Sequence, residues 1–343
     1  MTRSSRILLL ATSLLSVSAE VHAQSTGTLV VANRRGGSVS FFDLEAGLEV
    51  GRLPVGPRIP HEAAVSPDGR RVLVGEYGDG ADHGRHLIVI DLPGVRELGR
   101  IDLGARSRPH SAAFLPDGRR AVATMEESDR LALVDLDALE VVRTYPTGGR
   151  EGHMVRVSSD GARAYVTNRG AEGTLSVIFL DEQREPVVIP AGEGAEGVAV
   201  SPDDAEVWVA NRIANTISVI DTRALAVAAT IEAPPDARRV EMSPTGRVLV
   251  PNAAEGGSLA QYDLATRELV VNTRIRVERE SGSAGILAVG ALAFISDRSD
   301  DAILLYDLEA PGVRRILATG HDAPDGIAWS PLRVAAFNET TRR

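Results

Sequence analysis

Three of the chain's seven histidines, His61, His110 and His153, open successive copies of one nine-residue motif, His61 through Gly69, His110 through Gly118 and His153 through Gly161. Further copies open on Glu196, on Arg238 and, at the end, on Asp325, with a degenerate one near Gly285. One place in a repeating unit therefore carries imidazole three times running and then a carboxylate. Neutral imidazole suits Cu, Zn, Mn or Fe, and three ring nitrogens with one carboxylate complete a tetrahedral or five-coordinate site. His61, His110, His153 and Glu196 are thus candidate metal ligands. Glu196 doubles as a candidate general base, and Arg238 is a candidate clamp for an anionic substrate. An ion with an open position would polarise a bound water or ligand. A competing reading has each histidine bonding a neighbouring carbonyl, repeated because the unit repeats. Distance separates the two, because nitrogens more than about 5 Å apart cannot share an ion through bonds of about 2 Å.

Composition narrows the chemistry further. The 343 residues include no cysteine and no lysine. Thiolate nucleophiles, disulfides, iron–sulfur clusters, haem c attachment, Schiff bases with pyridoxal phosphate and a phosphate-loop lysine are excluded. A net charge of −10 offers no basic field for nucleic acid or an anionic membrane.

The elements that must position these residues are short. Residues 196–222 hold three alternating apolar runs, at 198–200, 207–209 and 217–220. Ser201-Pro202-Asp203-Asp204 separates the first two, with proline fixing φ at the second position of a type I turn. The pattern predicts strand, turn, strand, loop, strand. Successive copies lie about 40–50 residues apart, the spacing of a four-stranded propeller blade. Second strands close on Asn33, Asn168, Asn211 and Asn252, and third strands on Asp43, Asp91, Asp135, Asp221, Asp263 and Asp307.

The segments AYVTNRGAEGTLSVIFLD and VWVANRIANTISVIDT resemble the YVTN repeat of the YncE-like β-propeller family, and the likeness runs from Gly27 to about Phe337. The resemblance implies an all-β, seven-bladed propeller in which residues 28–53 supply three strands of a blade and residues 325–330 the fourth, closing the ring. Residues 334–338 read as a surplus strand. In such a ring the residue opening each first strand sits at the mouth of the central channel, with His321 a weaker member of the same face. Related architectures include lyases, lactonases and metal-dependent oxidases, while others are protein-interaction scaffolds; fold does not choose between them. Arg58, Arg106, Arg108, Arg150 and Arg239 crowd the same loops, and Arg34, Arg169, Arg212 and Arg298 follow second strands, which points to a small anionic ligand. The alternative partner is a cell-envelope protein.

Three other signals complete the reading. Arg3 and Arg6, an apolar run at 7–17 and Val21-His22-Ala23 form a signal peptide over residues 1–23, implying a periplasmic or secreted, monomeric single domain at 24–343 with no membrane anchor. Gly192 through Gly197 matches a dinucleotide fingerprint by letter but leads into a strand. Asp79, Asp82, His83 and His86 form a loop insertion without a calcium-loop pattern.

Overall fold

The computed structural model describes residues 26–334, apart from 58, 80–81, 253–256, 276–284 and 321–322. The expected signal segment, Arg58, His321 and all but the first residue of the expected surplus strand lie outside them. Val334 itself is buried coil. No helix among the described residues is long and apolar enough to cross a membrane.

Seven four-stranded antiparallel sheets make a seven-bladed β-propeller. The first strands of blades one to four are Pro60–Val65, Pro109–Phe114, Gly152–Val157 and Ala195–Val200. Those of blades five and six are shorter, Glu241–Met242 and Ile286–Val289. Blade seven is built from both ends of the described chain, Pro324–Ser330 pairing with Thr28–Asn33 and followed by Ser38–Asp43 and Leu48–Pro54. The first strands lie against one another in a closed circuit around the axis, so none presents an open edge there.

The recurring polar residues hold the blades internally. The buried Asn33 amide donates to Ser38 and Ser40 across the hairpin, at 3.1 and 2.8 Å. Asn168 does the same to Thr174 and Ser176, and Asn211 to Thr216 and Ser218. The third-strand aspartates Asp43, Asp135, Asp221, Asp263 and Asp307 cap the next turn, as when Asp221 Oδ1 accepts from the backbone N–H of Arg223 and Ala224. These bonds satisfy polar groups that burial would otherwise penalise.

The apolar core is divided among the seven gaps between neighbouring blades, one cluster to a gap. Trp208, fully buried, fills the gap between blades four and five. A core arranged as a ring leaves the axis to the residues on the first strands, and at one end of the axis those residues are charged.

Candidate metal centre at the channel mouth

A local irregularity aims the site residues. In blade one, Pro60 pairs with Glu76 and Ala63 with Val74, so His61 and Glu62 together oppose the single residue Gly75. The same bulge places His110 and Ser111 opposite Thr124, and His153 and Met154 opposite Thr167. In blade four the shift falls between Ala195 and Gly197, at Glu196. A bulge bends the strand and re-aims its side chains, here toward the axis. The residue opposite the bulge then fixes the next blade: Thr124 Oγ1 donates to the carbonyl of His153 at 2.9 Å, and Thr167 Oγ1 to that of Glu196 at 2.7 Å. Two glycines admit the close backbone approach. A Cβ at Gly326 would lie 2.4 Å from the Glu62 Cα, and one at Gly197 would lie 2.7 Å from the Arg239 Cα.

The three imidazoles form a stack. The rings of His61 and His110 are 4.2 Å apart between centres, and those of His110 and His153 3.6 Å. All three are buried. His110, in the middle, is 1 % exposed, and its Nδ1 has no hydrogen-bond partner. Burial, reinforced by the neighbouring His153, His61 and arginine charges, holds its pKa well below the ordinary imidazole value. Burial also lowers that of His61, against the opposing pull of Asp325 and Glu62. His110 is therefore a neutral ring with a free lone pair or an idle N–H, depending on tautomer.

Carboxylates flank the stack. His61 Nδ1 lies 3.0 Å from Asp325 and 3.5 Å from Glu62; His153 Nδ1 lies 3.2 Å from Glu126, and its Nε2 3.6 Å from Glu196. Two groups bring their ligand atoms within 4.8 Å of one another, His61 with Glu62 and His110, and His110 with Glu126 and His153. Tyr77 packs its ring against His61 and His110 and donates its hydroxyl to Glu126 at 3.0 Å; burial and that carboxylate push its pKa up to about 12.

Six arginines surround the four carboxylates of this layer, Arg239 serving both Glu62 and Glu196. Arg34 and Arg298 hold Asp325, Arg212 and Arg239 hold Glu196, and Arg169 and Arg108 hold Glu126. Burial would raise the carboxylate pKa values, but His153 with Arg169 and Tyr77 brings Glu126 down to about 2, and His153 with Arg239 and Arg238 brings Glu196 to about 2. The surplus of guanidinium makes a positive mouth on an acidic protein.

The sequence expectations map onto this geometry unevenly. His61, His110 and His153 come together, and Glu196 touches His153 but belongs to neither compact ligand group. Glu62 and Glu126 take the ligand-carboxylate places instead. Arg238, at the expected place, keeps a quarter of its side chain exposed and pairs with Asp236 at 3.0 Å. Its neighbour Arg239 is the one that turns inward, 6 % exposed and 2.5 Å from Glu62. Arg106 pairs with Glu127, outside the layer. Among its described residues the loop insertion gathers no cation cage: His83 Nδ1 binds Glu127 at 2.6 Å, His86 Nδ1 binds Glu76 at 2.8 Å, and Asp79 accepts from the Asp82 backbone. The glycine-rich run at 192–197 enters the strand Ala195–Val200, with no helix to receive a dinucleotide.

Comparison with known proteins gives the fold more than the chemistry. The family model of the cytochrome D1 heme domain matches residues 118–252. A functionally unknown protein from Desulfotomaculum acetoxidans superposes with a TM-score of 0.73 at 16 % identity, over 89 % of this chain and 99 % of that one. Hydrazine synthase from Kuenenia stuttgartiensis superposes with a TM-score of 0.67 at 18 % identity, over 79 % of this chain and 92 % of the other. No curated protein matches the chain. Among the described residues, the axial cavity below the imidazoles does not admit a haem. The mouth is filled by stacked imidazoles, and the cavity beneath them, between Glu62, Met154, Arg156 and Arg239, holds about 40 Å³. Organic cofactors occupy pockets of roughly 300 Å³ and more.

Proposed function

We propose that this is an exported propeller of the YncE-like, YVTN-repeat kind, one domain over residues 24–343, monomeric and periplasmic or secreted, whose channel mouth binds a divalent transition metal together with a small anionic ligand. The observation that carries the metal reading is His110: a buried, neutral imidazole with an unpartnered nitrogen, centred between two further imidazoles and within ligand distance of two carboxylates. The ligand atoms of each group lie within 4.8 Å of one another, inside the roughly 5 Å beyond which two nitrogens cannot meet one ion at bonds of about 2 Å. The excess of arginine over carboxylate, six against four, favours an anion above the imidazoles, a carboxylate or phosphate, through bidentate contacts.

The ion, when bound, supplies Lewis-acid polarisation of an oxygen ligand or activation of water. Lyase, lactonase and oxidase chemistry all start from that capability. The protein's own groups bind and orient: the guanidiniums of Arg34, Arg169, Arg212 and Arg298 face the opening, and Tyr77 holds Glu126. Glu196, with its pKa drawn down to about 2, is too weak a base for proton abstraction near neutrality and serves better as the charge partner of His153 and Arg212. Arg239, deep and paired, braces Glu62 and Glu196.

One observation favours a second reading. Every carboxylate of the layer already has an arginine partner, which is also what a plug closing the axis of a non-catalytic interaction scaffold would need. Metal analysis of untagged protein separates the two. Stoichiometric Cu, Zn, Mn or Fe, weakened at least about 100-fold in a His61→Ala/His110→Ala double variant, supports the centre. Protein that stays metal-free after reconstitution at neutral pH supports the scaffold.

A further inference from the structure

The two ligand groups share one residue. His61, Glu62 and His110 form one, and His110, Glu126 and His153 the other. Each is a two-imidazole, one-carboxylate set, complete enough to hold an ion with solvent or an anion at the remaining position. Their carboxylates are not interchangeable. Glu62 is held by Arg239 at 2.5 Å, while Glu126 is held by Arg169 at 2.8 Å and by Tyr77 at 3.0 Å. Moving either across the stack would break a buried ion pair and leave a buried guanidinium uncompensated. A single ion therefore cannot gather both carboxylates without disrupting the layer that surrounds it.

An imidazole nitrogen has one lone pair. Two groups sharing a single imidazole are filled together only when that ring uses both nitrogens, its N–H proton having passed to solvent. His110 has the freedom this needs, since its Nδ1 is buried and engaged by no donor or acceptor. Each outer ring also has one buried nitrogen without a hydrogen bond, His61 Nδ1 and His153 Nε2, but their Nδ1 atoms lie 3.0 Å from Asp325 and 3.2 Å from Glu126, whereas among the described residues no carboxylate stands at ion-pair distance from His110. Resting on the metal reading above, we propose that the mouth is a two-ion centre, with one divalent transition ion on the His61–Glu62 side, a second on the His153–Glu126 side, and His110 bridging them. Its ligand class follows from the charge. Two divalent ions inside an arginine collar call for a small polyanion, such as a dicarboxylate or phosphate, that spans both.

Copper reports on this directly. The full chain, without a tag, is titrated with Cu²⁺ under equilibrium dialysis while the paramagnetic resonance signal is integrated. Two equivalents bind, and the signal grows to the first equivalent and then falls as the second arrives, because copper ions joined through one imidazole couple their spins. Glu62→Gln and Glu126→Gln each remove one equivalent and leave an uncoupled signal from the other, so either variant suffices should one fail to fold. Saturation at one equivalent, or a signal that simply doubles, overturns the bridge while leaving the metal site standing. No binding at all removes the metal reading with it.

Discussion

Blades one to three and blades five and six descend from the same repeat, yet only the first group delivers imidazoles to the axis. In the first group the inner strand runs six residues and carries a bulge at the histidine. In blade five it shrinks to Glu241–Met242, and residues 237–240, which lead into it, are not strand at all. In blade six the corresponding place falls near Gly285, whose N–H is held by Ser296. Where the strand is whole, the bulge decides which residues look inward. Where it is broken, the chain is free to turn a different residue in, and Arg239 rather than Arg238 reaches Glu62 and Glu196. The scaffold supplies a position and the strand's regularity decides which letter occupies it.

Substitution at that boundary should give the largest effect. Arg239→Ala strands Glu62 as a buried charge with no arginine and leaves Glu196 to Arg212 alone, and about 3–5 kcal/mol of unfolding free energy should be lost in urea titration. Acid probes the imidazole side of the comparison. The folded pKa values of Glu126 and Glu196 are lowered from 4.5 to about 2, so the stability they contribute is complete above about pH 4.5 and disappears as pH falls toward 2. Each shift corresponds to about 3 kcal/mol, and because both lean on His153 the two do not add in full. Urea midpoints measured from pH 7 to pH 2 should decline through that window, and Glu196→Gln should flatten the decline. An unchanged slope in that variant would show that Glu196 is not drawn down by its partners.

Finer tests address what positions each blade. Thr124→Val leaves the backbone N–H of Ser111 and the carbonyl of His153 without their 3.0 and 2.9 Å bonds, at a cost of about 1–2 kcal/mol. Gly75 occupies the matching place in blade one, where a Cβ would sit 2.6 Å from the Pro109 carbonyl, so Gly75→Thr should destabilise rather than reinforce. Equal tolerance at the two positions would undo the equivalence. The smallest effect is expected at Arg238→Ala, within about 0.5 kcal/mol, because the side chain is at the rim and its partner Asp236 stays solvated. A loss there matching that at Arg239 would reverse the assignment of the inward residue.

Blade number, ring closure and the meeting of the three histidines were readable because each depends on a residue type recurring at a fixed place in a repeat. Glu62 was hidden by the rule that served everywhere else. Alternation places it on the opposite face from His61, and only the bulge lets both reach the axis. Glu126 escaped for another reason, since it lies in a short 3-10 turn, Glu126–Ser128, that no other blade copies among the described residues. Arg239 is one residue from the place the motif indicated, a shift that only the irregular chain at 237–240 makes possible.

Blade seven has a consequence for how the mouth is made. His61 leans on Asp325, and Arg34 touches both, at 3.1 Å to the ring and 3.4 Å to the carboxylate. Asp325 is separated from the other two by nearly the whole chain, and the three meet only when the last strand docks. A ribosome extruding this protein must therefore deliver almost all of it before His61 finds its carboxylate. An ion of the kind proposed, captured earlier, would meet a half-built cradle, so its loading would belong after the ring has shut.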